Sequence, residues 1–184
     1  MKNFNCPFKC ATIAVALFLA YNSGVNAQSS NYKIAPQEYA AIAEKALNHL
    51  TKLDIDAWGK MLADNVEYTF PDGDIDTRTK LVGKKAVMEW WTNYKNTSGI
   101  ESMTAEEVNL IPLTATGAMK GGANSGTYVF SYFSNKMVFK TGSTAVRMNF
   151  VAHFNDAKQI DRYVTYYDRT PIIKVSGKNF LERK

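Results

Sequence analysis

The chain has 184 residues, 46% of them hydrophobic, 21% charged and 12% aromatic, with two cysteines. That composition fits one globular domain and excludes collagen-like, disordered and disulfide-scaffold chains. Lys and Arg number 22 against 17 Asp and Glu, but the excess is spread along the chain without a basic run, which argues against nucleic acid as a partner.

The first 27 residues read as an address. Lys2 and Lys9 precede an uncharged stretch from Ala11 to Tyr21, and small residues follow at Val25 and Ala27, the three-part layout of a signal peptide cut after Ala27. The protein is therefore expected to be periplasmic or secreted and to begin at Gln28. The apolar stretch is about half of the roughly 20 residues a spanning helix needs, and no later stretch comes closer, so no membrane attachment is expected after cleavage. Cleavage leaves 157 residues, lowers the formal charge from +5 to +3 with the loss of Lys2 and Lys9, and removes Cys6 and Cys10. A thiol-free chain has no disulfide framework, cysteine nucleophile or thiolate metal site.

Residues 28–35 form a short polar segment. Pro36 then stands where a helix can start without losing a needed amide donor, and Tyr39, Ile42, Ala43, Ala46, Leu47, Leu50 and Leu53 recur at helical steps on one face. Asp54 is placed to cap a second helix carrying Ile55, Trp58, Met61 and Leu62. Val66, Tyr68 and Phe70 alternate with Glu67 and Thr69, the period of a half-buried strand, up to the turn Pro71-Asp72-Gly73. A short strand or extended loop follows to Val82. Gly83 opens a third helix with Val87, Trp90, Trp91 and Tyr94 on its dry side.

Four strands are predicted next, from Met103 to Leu113, Gly126 to Lys140, Ser143 to Phe154 and Gln159 to Tyr167, rich in Val, Thr, Phe and Tyr and forming an antiparallel meander. Pro171 limits the last strand, and the polar tail from Ser176 to Lys184 is expected to fray. This order predicts an α+β domain over residues 36–175. Its curved antiparallel sheet would wrap around three helices as a cone with an internal cavity.

Three stretches carry a family resemblance. They are Leu53-Asp54-Ile55-Asp56-Ala57-Trp58 continuing through Leu62-Ala63-Asp64-Asn65-Val66-Glu67-Tyr68, then Val82-Gly83-Lys84-Lys85-Ala86-Val87-Met88-Glu89-Trp90-Trp91, then Phe154-Asn155-Asp156-Ala157-Lys158-Gln159-Ile160. Over roughly Gln37 to Ile173 the chain resembles the nuclear transport factor 2-like superfamily, which includes ketosteroid isomerase and the SnoaL-like polyketide cyclases. These are fold motifs, and they imply the cone while saying little about chemistry. In ketosteroid isomerase an Asp base moves a proton while a Tyr and a protonated Asp donate hydrogen bonds to the oxyanion. Carried over, the base position falls on Phe70, the Tyr position on Ala46 and the protonated Asp position on Phe150, so that mechanism lacks its base and both donors.

The resemblance implies that Phe70, Phe150, Tyr163, Thr165, Tyr167 and Trp91 face the cavity. Strand parity adds Val66, Tyr68, Met148 and Ala152, and Trp58 joins the same aromatic set. A pocket of Trp58, Val66, Tyr68, Phe70, Trp91, Met148, Phe150, Tyr163, Thr165 and Tyr167 suits a small apolar or aromatic molecule held by stacking and a few hydrogen bonds, without cofactor or metal. The opposing reading is that these rings fill the core.

Two acids lie close by in sequence. Asp72, just past Phe70, is placed to supply a carboxylate at the mouth, and Asp168, after Tyr167, is either a base or a cap for the strand end. Asp72-x-Asp74-x-Asp76 resembles the opening of a calcium loop, but Thr77 and Gly83 stand where Gly and Glu are needed, so it reads as a solvated acidic turn. His49 and His153 lie on different elements, His153 with outward parity, which suggests no metal pair. The run from Gly121 to Gly126 lacks the strand before and helix after a phosphate cradle and reads as a hairpin loop. Arg147, Asn149 and Val151 share the outward parity of His153, on a surface that either faces solvent or pairs two copies as a homodimer. Two other function classes therefore stand beside small-molecule binding. One is a cofactor-independent cyclase, dehydratase or isomerase using Asp72 or Asp168 with Tyr68, Tyr163 or Tyr167. The other is a protein-interaction module using the outer sheet.

Overall fold

The computed structural model describes residues 31–74, 76–117 and 125–181. The expected signal segment and most of the glycine-rich run from Gly121 lie outside the described residues. From Tyr32 onward the elements are β1 (Tyr32–Ile34), α1 (Gln37–Thr51), α2 (Ile55–Gly59), β2 (Leu62–Thr69), β3 (Lys80–Val82), α3 (Lys84–Thr97), β4 (Ile100–Ala115), β5 (Gly126–Phe139), β6 (Gly142–Phe154), β7 (Ile160–Tyr167) and α4 (Thr170–Ser176). Helix α1 buries Ala43, Ala46, Leu47 and Leu50, the face its spacing predicts. The Asp54 side chain caps α2 by accepting from Ala57 N at 3.2 Å. Gly83 enters α3 at φ 89°, a backbone region that glycine adopts without a Cβ penalty.

The seven strands lie in the order β1-β4-β5-β6-β7-β2-β3. All neighbours are antiparallel except β2 and β7, which run parallel with Tyr68 opposite Tyr163. The sheet is therefore mixed, where the strand pattern suggests a purely antiparallel one. Local alternation shows that a strand is half buried; which strand it pairs with is decided by the whole chain, here across the intervening meander. Register shifts at Glu106/Asn109 and at His153/Phe154 bend the strands, and the open sheet curls over α1, α2 and α3. Phe133, Met137, Met148, Phe150 and Tyr163 lie buried on its inner side. The outer side exposes Ile111, Tyr132 and Tyr166, and Arg147 pairs there with Glu107 at 3.0 Å.

Two terminal segments depart from expectation. Residues 32–34 of the polar leader form β1, adding an edge strand to β4 with Tyr32 opposite Ala115. At the other end a fourth helix forms, because Pro171 sits in its first turn, where a missing amide donor does no harm. The described part of the tail is packed: the Phe180 ring meets Tyr94 edge-on at 5.0 Å. No helix among the described residues is long and apolar enough to cross a membrane.

Candidate functional site

The narrow end of the curl is filled with rings. Trp58, Val66, Tyr68, Phe70 and Thr165 are fully buried. The Trp58 ring lies 6.3 Å from Tyr68, 6.0 Å from Trp91 and 5.9 Å from Tyr163, while Tyr68 lies 4.8 Å from Phe70. Thr165 Oγ1 donates to the Thr69 carbonyl at 3.0 Å, tying β7 to β2. Packing this dense buries Trp58 Nε1 beside the Tyr163 hydroxyl and the Tyr68 hydroxyl beside Thr165. Burial, and then the neighbouring Tyr167 and Tyr163 phenols, push the Tyr68 hydroxyl well above its ordinary range.

Toward the wide end the packing opens into a cavity of about 60 Å³. Leu47, Leu50 and Thr51 of α1 and Trp90, Trp91 and Tyr94 of α3 form one wall; Met103, Phe133, Asn135, Met137, Met148, Phe150 and Tyr167 of the sheet form the other. Arg169, Ile172, Ile173 and the stretch Lys178–Leu181 close the mouth. The space holds a few waters or a very small organic molecule, well short of the roughly 300–1,000 Å³ typical of drug-sized sites.

The closing strap, Gly177–Leu181, begins with Gly177 at φ 68°, the left-handed cap of α4. Lys178 Nζ donates to the Thr97 carbonyl at 2.6 Å, and Arg169 Nη2 donates to Asn179 Oδ1. Phe180 and Leu181 are half buried at the rim.

One polar side chain interrupts the inner wall. Asn135, only 5% exposed, directs Nδ2 at the sulfurs of Met103 and Met148, 3.8 Å from each, and its Oδ1 has no partner. Trp91 Nε1 on the facing wall is also unpartnered. An unmet buried amide oxygen costs about 1–3 kcal/mol, so the fold carries a destabilising group inside its own cavity. Tyr167 stands nearby; burial raises its hydroxyl pKa, Tyr94 adds to the rise, Arg169 opposes it and Asp72 adds a smaller contribution. Among the described residues no carboxylate or imidazole lines the cavity.

No family model and no curated protein matches the sequence. Solved structures do. A candidate isomerase from Bacillus subtilis is similar over 79% of this chain and 97% of its own, with 18% identity and a TM-score of 0.58. A candidate polyketide cyclase from Xanthomonas campestris pv. campestris matches over 76% and 97%, with 15% identity and a TM-score of 0.57. A candidate SnoaL-like polyketide cyclase from Shewanella denitrificans OS-217 matches over 78% and 100%, with 11% identity and a TM-score of 0.54. This chain has the nuclear transport factor 2-like fold. At such identities the likeness concerns architecture, and chemistry has to be argued from the residues.

Within this fold the expected pocket residues divide. Trp91, Met148, Phe150 and Tyr167 line the cavity. Trp58, Val66, Tyr68, Phe70, Tyr163 and Thr165 do not: they are buried in the core, the rings packed against one another and Thr165 bonded to the Thr69 carbonyl. The expected acids are both engaged structurally. Asp72 accepts from Thr79 N at 3.0 Å and from Thr79 Oγ1 at 2.5 Å, closing the turn after Phe70. Asp168 is exposed and accepts from Thr170 N at 2.8 Å; that bond, with the Thr170 side chain, lowers its pKa, the opposite of what a general base requires.

His153 faces outward and is buried against Tyr128, with Nδ1 2.5 Å from Asp161 Oδ1. His49 lies 3.6 Å from Asp54 on another element. Asn135 was not among the expected residues, although its signal was present: it occupies an inward position between Phe133 and Met137.

Proposed function

We propose that this is an exported protein that binds a small, largely apolar molecule at the wide end of its cone. The guest's apolar body would lie against Met148 and Phe150, and one polar group would meet the Asn135 amide. The observation that carries this reading is the Asn135 amide itself, held between two thioethers with its oxygen unmet. A buried polar group without a protein partner is destabilising unless something else satisfies it, and a ligand hydroxyl, amide or acid would do so. The test is extraction of purified protein with organic solvent and mass spectrometry of what is released. A near-stoichiometric small molecule is expected from the native protein and not from Asn135→Leu; an empty extract from both, with no small-molecule binding in a ligand screen, refutes the proposal.

The likeness to proteins described as cyclases and an isomerase favours a second reading, cofactor-independent cyclisation or isomerisation in the same cavity. Tyr167 and Asn135 could polarise a substrate there. The described residues that line the space offer no carboxylate or imidazole, so this reading rests on a reaction that these residues promote by hydrogen bonding. Conversion of the extracted molecule into a different product would favour it over simple binding.

A further inference from the structure

The cavity is polarised from depth to mouth. Its inner wall is largely apolar, with the Asn135 amide and Trp91 Nε1 as unmet polar groups, and the formally charged lining residues among the described ones, Arg169 and Lys178, are both cationic and both at the mouth. Each uses a neutral acceptor: Arg169 donates to Asn179 Oδ1 and Lys178 to the Thr97 carbonyl. Neither is ion-paired among the described residues. The nearby acids are turned to other work, Asp72 to Thr79 and Asp168 to the Thr170 amide. The opposing influences of Arg169 and Asp72 on the Tyr167 hydroxyl place both charges within electrostatic reach of that hydroxyl, but only the guanidinium belongs to the cavity lining.

We infer that the ligand is a small carboxylic acid with a second polar group at its other end, its carboxylate at the mouth facing Arg169 and Lys178 and its apolar middle running inward past Met148 and Phe150 to bring that second group to Asn135. This rests on the binding reading above and deepens it. A guanidinium presents a planar fork of donors that matches a carboxylate, and a charge-assisted pair is stronger than a neutral one. A neutral guest would leave both cations without an ion-pair partner among the described residues. The same two residues hold the strap closed, so a carboxylate arriving there would replace Asn179 on Arg169 and loosen the cover over the cavity at the moment the guest enters.

The test titrates the full-length mature protein with 4-hydroxybutanoate and, separately, with 1,4-butanediol, which has the same body without the charge. Emission of Trp90 and Trp91, which line the cavity, reports binding. The acid is expected to bind at least about tenfold more tightly than the diol. Arg169→Gln should abolish that preference, so that the variant binds the two probes with about equal affinity. Equal binding of the two probes by the native protein, or a preference for the acid that survives Arg169→Gln, overturns the inference while leaving the binding reading standing. Binding of neither probe also overturns it, and solvent extraction then decides separately whether the cavity holds any ligand.

Discussion

Asn135→Leu separates a stability cost from a functional benefit at one position. The side chain is 5% exposed, its amide nitrogen touches only two sulfurs at 3.8 Å, and its oxygen is unmet. Leucine is close to it in shape and removes both polar atoms. Relief of the unmet oxygen is worth about 1–3 kcal/mol, and the lost contacts to sulfur offset part of that. A net gain of about 1–2 kcal/mol raises Tm by roughly 3–6 °C in a domain of this size. The comparison uses protein freed of small molecules, because a bound guest would stabilise the native chain by mass action. Differential scanning calorimetry gives Tm, and urea unfolding gives the midpoint at unchanged slope. A lower Tm for Asn135→Leu, or retention of the guest by that variant, would refute the view of this amide as a ligand group maintained against the interest of the fold.

Three further outcomes are expected. Tyr167→Phe should weaken binding of the extracted molecule by about 1 kcal/mol, roughly fivefold in Kd; an unchanged Kd by isothermal calorimetry removes that hydroxyl from the site. Tyr68, Tyr163 and Tyr167 hold raised pKa values, first of all through burial. The unfolded chain therefore loses these protons first as the solution turns alkaline, and stability, full below about pH 10, should fall as pH rises beyond it. Absorbance at 295 nm should show part of the phenol signal rising only with unfolding, and full ionisation of all the tyrosines in folded protein would contradict the packing described here. Intact-mass measurement of the exported protein should give a chain starting at Gln28; a retained Met1 would exclude the cleavage site.

Periodicity reveals orientation but not depth, and this explains how much of the fold and site was readable in advance. The family resemblance pointed Trp91, Phe150 and Tyr167 inward and strand parity added Met148, and these four line the cavity. The resemblance pointed Phe70, Tyr163 and Thr165 inward too, and parity Val66 and Tyr68, but a face says nothing of how deep in the core a residue sits. Depth depends on how Trp58, Tyr68, Phe70 and Tyr163 pack together, which emerges only when four elements meet. Asn135 was visible as a break in an apolar alternation, and a polar residue at such a position is a better ligand signal than another ring. The strap escaped notice because the charged residues of the tail dominate its composition, although Phe180 against Tyr94 and two hydrogen bonds from basic side chains suffice to seat it.

The parallel seam between β2 and β7 bears on how the chain reaches its native state. The meander from β4 to β7 can zip through successive hairpins, each closing a short loop. The seam instead joins Tyr68 to Tyr163, so the loop it closes contains nearly the whole meander, and its entropic cost must be met before the contacts it brings can form. The Trp58, Tyr68 and Tyr163 cluster then assembles late, and until it does β7 presents an unpaired edge rich in tyrosine to neighbouring chains. For a protein expected to cross a membrane before folding, that interval is when it is most exposed to aggregation.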